Sequence, residues 1–313
     1  MVTFNSRSVQ RPKQGIGKID VAVNDYGSAR DLISILSVHP HVDHIYFPDD
    51  SLTTDDYTTL TGKCFPLERT QFLSDLNDGK AWLLFLSKKD EQLQFKLNKN
   101  VSCIDLSASL SENEMIIPEG NLKNVDRFTQ FTLPGPVATA IVLALLPFTR
   151  HSAFYPVSVT AITPSGMGSN VGGQSDEEIM EEVRRYFKEH YSISIQLDFD
   201  RWSSKIERGI FISSSFYCPL AMEELKTLYN DYFNLHPFVQ ISEDPIFLQQ
   251  VAGTNQCLIH FEKAGVKLIV HSAIDEQLKG SAGLAVQLMN VLFEWDETAG
   301  LESFSPFILN KKI

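Results

Sequence analysis

The first fifty residues contain the pattern that most restricts the fold: a strand, a helix and a second strand. Residues 18–23 are apolar over the length of a buried strand. In residues 28–40 apolar side chains recur at helical spacing until a proline ends the pattern. Residues 44–50 again have the composition of a strand. Two strands joined through a helix lie parallel in one sheet, so this region predicts an α/β fold with a right-handed crossover.

The pattern changes in the second half of the chain. Strands and helices alternate to about residue 130, and another helix is predicted at 137–148. Beyond it, four segments alternate with the period of two that is typical of half-buried strands, and two helices separate them. The strand segments are 158–163, 192–199, 209–217 and 258–274, and the helices are 176–191 and 222–233. This half predicts an α+β domain with a mixed or antiparallel sheet, followed by a last amphipathic helix at 280–295.

Composition disfavours two classes of partner. The 39 acidic residues outnumber the 27 basic ones, and a net charge of −12 disfavours binding to nucleic acid or to anionic membranes. The longest apolar run, residues 140–148, is too short to span a bilayer, and the N-terminus has no apolar signal segment. We therefore expect a cytoplasmic protein that binds neither nucleic acid nor membrane. The acidic run at 176–182 is predicted to be a solvated helix face.

Three segments resemble those of one enzyme family. Residues 103–110 (CIDLSASL) are similar to the family's IDLSADFRL, and residues 133–147 (LPGPVATAIVLALLP) to its NPGCYPTAxxLALxPL. The most specific match is the segment 236–301, which contains VAGTNQC, SAIDEQLKGSAG and VQLMNVLFEWDETAGL. On these segments the chain is identified as a member of the N-acetyl-gamma-glutamyl-phosphate reductase family, in the aspartate-semialdehyde-dehydrogenase-like superfamily. The resemblance extends from about residue 18 to 301.

The resemblance implies a fold, an assembly and a reaction. The fold is a Rossmann-type parallel-sheet domain, formed by residues 1–132 plus 280–313, and an α+β substrate and dimerisation domain of the semialdehyde dehydrogenase type, formed by 133–279. The implied assembly is a homodimer or homo-oligomer. The implied reaction is the NADPH-dependent reduction of an acyl phosphate to a semialdehyde in arginine biosynthesis. Each part of that chemistry can be sought in this sequence.

The residues that would carry the chemistry are absent at the matching positions. A cysteine thiolate forms a thioester in this family, and its position is occupied by Pro136, which has no reactive atom. The two positions of the family's histidines are occupied by Gly173 and Ser175, neither of which can shuttle a proton near neutral pH. The arginine that would bind the acyl phosphate falls on Ser111. We therefore expect no catalytic residue among these positions.

The dinucleotide loop also departs from the family pattern. The family has GATGYTG between the first strand and helix, whereas NDYGSA here is about two residues shorter. Gly27 and Ser28 are the candidate cofactor-binding residues of this loop. Asp25 adds a negative charge where a phosphate would lie, and Asp49 and Asp50 would repel a 2′-phosphate. NAD or NADP is possible by resemblance, but no cofactor is firmly expected.

Other positions do match the family. Gly135, Arg208 and Asn255 are candidate substrate-cleft residues, and the last helix offers further candidates for cofactor binding, namely Gly283, Gln287 and Asn290. The alternative is structural: an Asn and a Gln can bridge polar groups where the last helix meets the rest of the molecule.

No metal site is predicted. The four cysteines are too far apart for the C-x-x-C pairs of zinc or redox sites. His39, His41 and His44 are closely spaced, but the family also has His-Pro after this helix, so a loop is favoured over a metal site.

Three functions remain open from the sequence. The first is a non-catalytic family member with a regulatory or scaffold role, for which an active paralogue is one candidate partner. The second is an NAD(P)-dependent oxidoreductase of the same family with altered chemistry or substrate. The third is a small-molecule sensor. A sensor predicts an open cleft with a polar lining, whereas a scaffold predicts a cleft filled by apolar side chains.

Overall fold

The computed structural model describes the greater part of the chain. The described residues are 17–52, 62–78, 81, 83–90, 102–107, 113–120, 122, 125, 129–150, 156–165 and 174–302. Within them, the molecule has two sheets that are joined by the helix at 136–145 and by the C-terminal helix.

The first sheet is entirely parallel, as the opening sequence pattern predicts. It has seven strands: β1 (Ile19–Val23), β2 (Val42–Pro48), β3 (Cys64–Leu67), β4 (Leu83–Leu86), β5 (Ser102–Asp105), β6 (Glu114–Met115) and β7 (Gln130–Thr132). Their order is β3-β2-β1-β4-β5-β7-β6. Helix α1 (Arg30–Val38) connects β1 to β2, and helix α2 (Arg69–Asn77) connects β3 to β4.

The strand order reverses direction between β1 and β4. The chain proceeds from β1 outward to β3 on one side and from β4 outward on the other. In parallel sheets of this kind, ligands bind at the carboxyl ends of the strands where the order reverses. Residues that follow β1 and β4 therefore lie at the place where a dinucleotide would be expected.

The second sheet is mixed and has six strands. They are β8 (Val157–Pro164), β9 (Leu197–Ser204), β10 (Ile210–Tyr217), β11 (Val239–Ile241), β12 (Cys257–Ala264) and β13 (Lys267–Ile274), in the order β11-β12-β13-β10-β8-β9. The pairs β8–β9 and β11–β12 are parallel and the others antiparallel. The predicted strand at 192–199 starts later than expected, at Leu197.

Helix α3 (Pro136–Leu145) lies at the centre of the molecule. Its residues from Val137 to Leu145 are all buried, which explains why this segment is apolar on every side. It packs against β10 and β13 and against helix α4 (Asp176–Tyr191), and helix α5 (Met222–Phe233) packs beside β11. These helices lie on one face of the mixed sheet.

The last helix, α6 (Gly283–Leu292), packs against α1 of the parallel sheet. It is preceded by a π-helical turn (Leu278–Ala282), so the regular helix begins three residues later than the expected Gly280 and ends before Phe293. Among the described residues, no helix is long and apolar enough to cross a membrane.

Candidate functional site

The N-terminus of α3 is the position at which the family resemblance places a nucleophile. Pro136 is the first residue of this helix and Gly135 is its N-cap. Proline suits this position because its fixed φ angle fits a helix. The N–H that proline lacks would have no intrahelical partner at the first helical position. The ring packs against Gly280, where an added Cβ atom would lie 2.7 Å from the Cβ atom of Pro136. The position is therefore filled by a packed ring that cannot react.

A carboxylate from α4 satisfies the backbone at this helix N-terminus. The Gly135 N–H donates to Oε2 of Glu182 over 2.8 Å, and Gln174 Nε2 donates to Oε1 over 2.5 Å. Glu182 is only 9% exposed, and burial raises its pKa although both hydrogen bonds act in the opposite direction. The acidic run was expected to be solvated throughout, and this expectation is wrong for Glu182. The missed signal is its spacing from Ile179 and Tyr186, which places all three on one helical face.

Ser175 has a structural role as the N-cap of α4. Its Oγ accepts from the Glu178 N–H over 3.2 Å, and the Glu178 carboxylate accepts from the Ser175 N–H over 2.7 Å. This reciprocal pair is a capping box. Gly173, the other position matched to a family histidine, and Ser111 lie outside the described residues.

Asp25 takes the place of an anion in the loop after β1. Its Oδ2 accepts from the Ser28 N–H over 2.9 Å and from the Ser28 hydroxyl over 2.8 Å. Gly27 is exposed beside this carboxylate. A pyrophosphate would need these donors and would meet a negative charge at the same point. The residues of this loop therefore do not fit a dinucleotide.

Further hydrogen bonds join the loop after β1 to the residues that follow β4. Asn24, which follows β1, accepts at Oδ1 from the Ser87 N–H over 2.8 Å and donates from Nδ2 to the Lys88 carbonyl over 2.7 Å. The Ser87 hydroxyl lies 2.9 Å from that of Ser28. The polar groups at the point where the strand order reverses thus bind one another.

Arg208 is directed at a protein carboxylate. It forms two hydrogen bonds to Asp275, which is fully buried and also accepts from the Gly253 N–H over 2.6 Å. Burial alone would lower the pKa of Arg208, but the hydrogen bond and the charge of Asp275 outweigh burial and raise it. In this arrangement the guanidinium positions the turn before α6.

Gln287 bridges polar groups in a buried cluster, in line with the structural alternative, and the cluster includes Glu119 and Glu297, which the sequence did not single out. Its Oε1 accepts from Lys279 Nζ over 2.6 Å, and its Nε2 donates to Glu119 over 2.8 Å and to Glu297 over 2.6 Å. Lys279 also binds Glu119 directly, and Gln287, Lys279 and Glu119 are inaccessible to solvent. Asn255 donates weakly to Gln287 over 3.4 Å.

Burial and the neighbouring ammonium shift the pKa values of the carboxyl groups in this cluster. Burial raises the pKa of Glu119, but the ammonium of Lys279 more than reverses this effect, so the net pKa lies below its ordinary value. Burial raises the pKa of Glu297. Gly283 packs against Asn255, where an added Cβ would lie 2.3 Å from Oδ1. Among the described residues, the cleft candidates Asn255, Gly283 and Gln287 thus pack on one another, and their surroundings are polar rather than apolar.

Asn290 joins α6 to the end of α1. Its Oδ1 accepts from His39 Nε2 over 2.9 Å, and its Nδ2 donates to the carbonyls of Glu297 and Ala299. His39 Nδ1 accepts from the His41 N–H over 3.1 Å, so both ring nitrogens of the neutral imidazole have hydrogen-bond partners. Burial lowers the pKa of His39 to about 4. Both polar atoms of Asn290 are thus used within the protein.

The three clustered histidines have separate partners. His41 Nδ1 lies 2.8 Å from the Gly17 carbonyl and His44 Nδ1 lies 2.7 Å from Asp20, while His39 binds Asn290. In the part of the chain that the structure describes, no group of three potential ligands could hold a metal ion.

Three of the four free thiols are buried, and the fourth, Cys64, is partly exposed in β3 at an outer edge of the parallel sheet. Cys103, Cys218 and Cys257 are buried, and burial raises the pKa of Cys103 and Cys257. Cys218 follows β10 and lies near Tyr229, whose hydroxyl binds the carbonyl of Ala144 at the C-terminal end of α3. The ten residues of α3 span about 15 Å, so this thiol lies at the opposite end of the helix from Pro136.

Comparison with solved structures defines the fold. Aspartate semialdehyde dehydrogenase II from Vibrio cholerae superposes with a TM-score of 0.69 at 13% identity, covering 88% of this chain and 99% of that chain. A probable aspartate-semialdehyde dehydrogenase from Pseudomonas aeruginosa gives 0.68 at 14%, with the same coverage. The family description "Semialdehyde dehydrogenase, dimerisation domain" matches residues 176–276. The chain thus has the semialdehyde dehydrogenase fold, with a Rossmann-type sheet and an α+β domain, as the sequence predicts.

Relatives in sequence identify the family within this class. An N-acetyl-gamma-glutamyl-phosphate reductase from Phocaeicola vulgatus is 32% identical, covering 88% of this chain and 94% of the relative. The same enzyme from Bacteroides thetaiotaomicron is 31% identical with the same coverage. The chain belongs to the N-acetyl-gamma-glutamyl-phosphate reductase family, which confirms the resemblance found in the sequence.

Proposed function

We propose that this chain is a non-catalytic member of its family, which keeps the fold and the capacity to assemble but has lost the reductase reaction. Its role is regulatory or scaffolding, and it acts as a homodimer or homo-oligomer or by pairing with an active paralogue. It neither binds nucleic acid nor inserts into membranes, and it acts in the cytoplasm.

The observation that carries the proposal is Pro136 at the N-terminus of α3, with its ring packed on Gly280. A pyrrolidine ring cannot displace phosphate or hold an acyl group, so no thioester forms at this position. Pro136 was matched to the nucleophile by sequence, and the packing supports a structural role for it. A second, independent observation is that the Asp25 carboxylate accepts hydrogen bonds from the Ser28 N–H and hydroxyl in the dinucleotide loop. This supports the loss of cofactor binding.

We also infer that the chain divides as the sequence suggests, with residues 1–132 plus 280–313 in one domain and 133–279 in the other. The parallel strands end at Thr132 and the mixed sheet begins at Val157, which supports this division. The match of 176–276 to a dimerisation domain supports assembly through the second domain.

Two measurements on the purified chain test the loss of function. Calorimetric titration with NADP and NAD is expected to show no saturable binding at micromolar concentrations. Incubation with N-acetyl-gamma-glutamyl phosphate and NADPH is expected to give no reduction, and intact-protein mass spectrometry is expected to show no acyl adduct. A cysteine-containing reductase of the family, assayed in parallel, is the positive control.

Turnover above the background of the uncatalysed reaction would contradict the proposal. Saturable binding of NAD without turnover on the acyl phosphate would instead indicate the alternative, an NAD(P)-dependent oxidoreductase of altered chemistry. Such an enzyme would need Asp25 to release the Ser28 N–H before a pyrophosphate could bind there.

A further inference from the structure

The chain beyond α6 turns back and runs along the helix that it has just left. This segment, residues 294–302, is here called the strap. Glu294 reverses the chain in the left-handed conformation, with φ of 57°, and the Trp295 N–H then donates to the Asn290 carbonyl over 2.9 Å. The Asn290 side chain in turn donates to two carbonyls of the strap, over 3.1 and 2.9 Å. Hydrogen bonds to its backbone therefore fix the strap on α6.

The strap also contacts the end of α1. Gly300 packs so closely on the ring of His39 that an added Cβ atom would lie 2.3 Å from Cδ2, and its φ of 73° favours glycine. The indole of Trp295 stacks on the ring of His41 with their centroids 4.5 Å apart, and Leu301 is buried. Docking of the strap thus depends on contacts with both α1 and α6.

One side chain of the strap, that of Glu297, enters the buried cluster around Lys279. Gln287 Nε2 donates one hydrogen to Glu297 over 2.6 Å and the other to Glu119 over 2.8 Å, so two carboxyl groups share one amide nitrogen. The ammonium of Lys279 binds Glu119 and the Gln287 carbonyl oxygen. One ammonium balances one carboxylate, so a negative charge on Glu297 as well would exceed the positive charge of this buried cluster.

The charged groups that face Glu297 come from three parts of the chain. Burial is the largest effect on its pKa and raises it, and the carboxylates of Glu119 and Asp296 act in the same direction. The hydrogen bond from Gln287 and the charge of Lys279 lower the pKa, but the net value lies above the ordinary 4.5.

Two histidines near the cluster contribute no charge at neutral pH. His236 interacts with Glu119 and Lys279, and burial lowers its pKa. His39, at the end of α1, binds Asn290, and burial lowers its pKa to about 4. Both imidazoles are therefore neutral at pH 7 and above, and neither balances a charge on Glu297.

We propose that the strap is a pH-sensitive lid that docks on α6 with Glu297 as the uncharged acid and loosens when this group ionises. Docking takes up a proton, because the pKa of docked Glu297 is raised. The contribution of this proton to docking is complete below pH 4.5 and is lost as the pH rises through the pKa of the docked state. A loosened strap uncovers Gln287 and Asn290, the two helix residues matched to cofactor-binding positions, so the strap regulates access to them.

Hydrogen–deuterium exchange of the full chain between pH 5 and pH 9 tests the proposal. The readout is the protection factor, corrected for the intrinsic pH dependence of exchange, of three strap amides that donate hydrogen bonds, those of Trp295, Ala299 and Leu301. The factor is expected to fall about tenfold for each pH unit up to the pKa of docked Glu297 and to be constant above it, because opening releases one proton.

Two variants separate Glu297 from its neighbours. Glu297→Gln keeps an acceptor for Gln287 but cannot ionise, so its strap is expected to have the same protection at every pH and more than wild type at pH 9. Glu294→Gln is the matched control, because it removes the same charge from an exposed position of the strap and is expected to follow the wild type. Circular dichroism establishes that both variants are folded.

Strap protection that does not change with pH in the wild type would overturn the inference, and so would a Glu297→Gln strap that loses protection as the wild type does. An equal trend in the amides of β10 and β13 would also overturn it, because it would show destabilisation of the whole fold rather than opening of the strap. These measurements use neither cofactor nor turnover, so their outcome is separate from that of the proposed loss of function.

Discussion

Two side-chain carboxyl groups accept hydrogen bonds from backbone N–H groups just before helices, at positions that the sequence resemblance matches to the family's dinucleotide loop and nucleophile. Asp25 accepts from Ser28 before α1, and Glu182 accepts from Gly135 before α3. Helix N-termini attract negative charge because their first N–H groups lack intrahelical partners. In this chain a carboxyl group already accepts from a backbone N–H at each of these two places, so a phosphate or thiolate would have to displace it.

Glu182 makes stability depend on pH in a predictable direction. Its pKa in the folded protein is raised above the ordinary value of 4.5, so its stabilising contribution is complete below that value and is lost as the pH rises through the folded pKa. In Glu182→Gln the amide can still accept from Gly135 and donate to Gln174. We expect the free energy of unfolding of this variant, relative to wild type, to increase from pH 4.5 to pH 8.

Urea unfolding at several pH values measures this difference. Glu181→Gln is the matched control, since this neighbouring side chain is 70% exposed and is expected to show no such trend. A constant difference between Glu182→Gln and wild type across the pH range would show that the carboxylate is not perturbed by its burial.

At the scale of elements, α4 combines several independent helix signals. It begins with a capping box at Ser175, has three acidic residues in its first turn and ends at Ser192 in the left-handed conformation, with φ of 57°. Its buried side includes Val183 and Phe187. These signals act locally, and they explain why this helix was predicted with its full bounds.

The same helix provides a test of the role assigned to Ser175. Ser175→Ala removes the acceptor for the Glu178 N–H and is expected to lower the free energy of unfolding by about 1 kcal/mol. Ser34→Ala is the control, because the Ser34 hydroxyl bonds to a carbonyl within α1 and caps nothing, so a change within about 0.5 kcal/mol is expected. Chemical denaturation measures both, and equal effects of the two would argue against the cap.

At the scale of the whole molecule, the buried cluster around Lys279 joins distant parts of the chain. Lys279 precedes α6, Glu119 follows β6 of the parallel sheet, and Phe238, next to β11 of the mixed sheet, has its ring 5.5 Å from the Lys279 ammonium. Among the described residues no donor reaches the second oxygen of Glu119, so the ammonium is its main compensation. The cluster therefore ties the two sheets together through charge.

Removing the ammonium should destabilise the whole fold. Lys279→Met leaves the Glu119 carboxylate buried without a counter-charge, and we expect the free energy of unfolding to fall by about 3–5 kcal/mol. Glu119→Gln combined with Lys279→Met removes both charges and is expected to recover a large part of this loss. Thermal and urea unfolding of the two single variants and the double variant measure the coupling, and additive effects would contradict it.

The sequence was informative where the signal is local. Apolar periodicity placed β1, α1, α3 and the long strands, and the C-terminal motif identified the family. Short strands such as β3 and β11 were missed because three or four residues carry too little periodicity to separate them from loops. The π-helical turn before α6 was also missed, since its geometry depends on contacts with Asp275 rather than on composition.

The sequence by itself determined the family and the order of the main elements, and it predicted Pro136 at the position matched to the family's nucleophile, because each depends on residues that are neighbours in the chain. Only the tertiary structure decided what the polar candidate residues bind. Lys279 and Glu119 are 160 positions apart, and His39 and Asn290 are 251 positions apart. Such pairs form only when packing brings distant segments together and burial makes an unpaired charge or donor too costly.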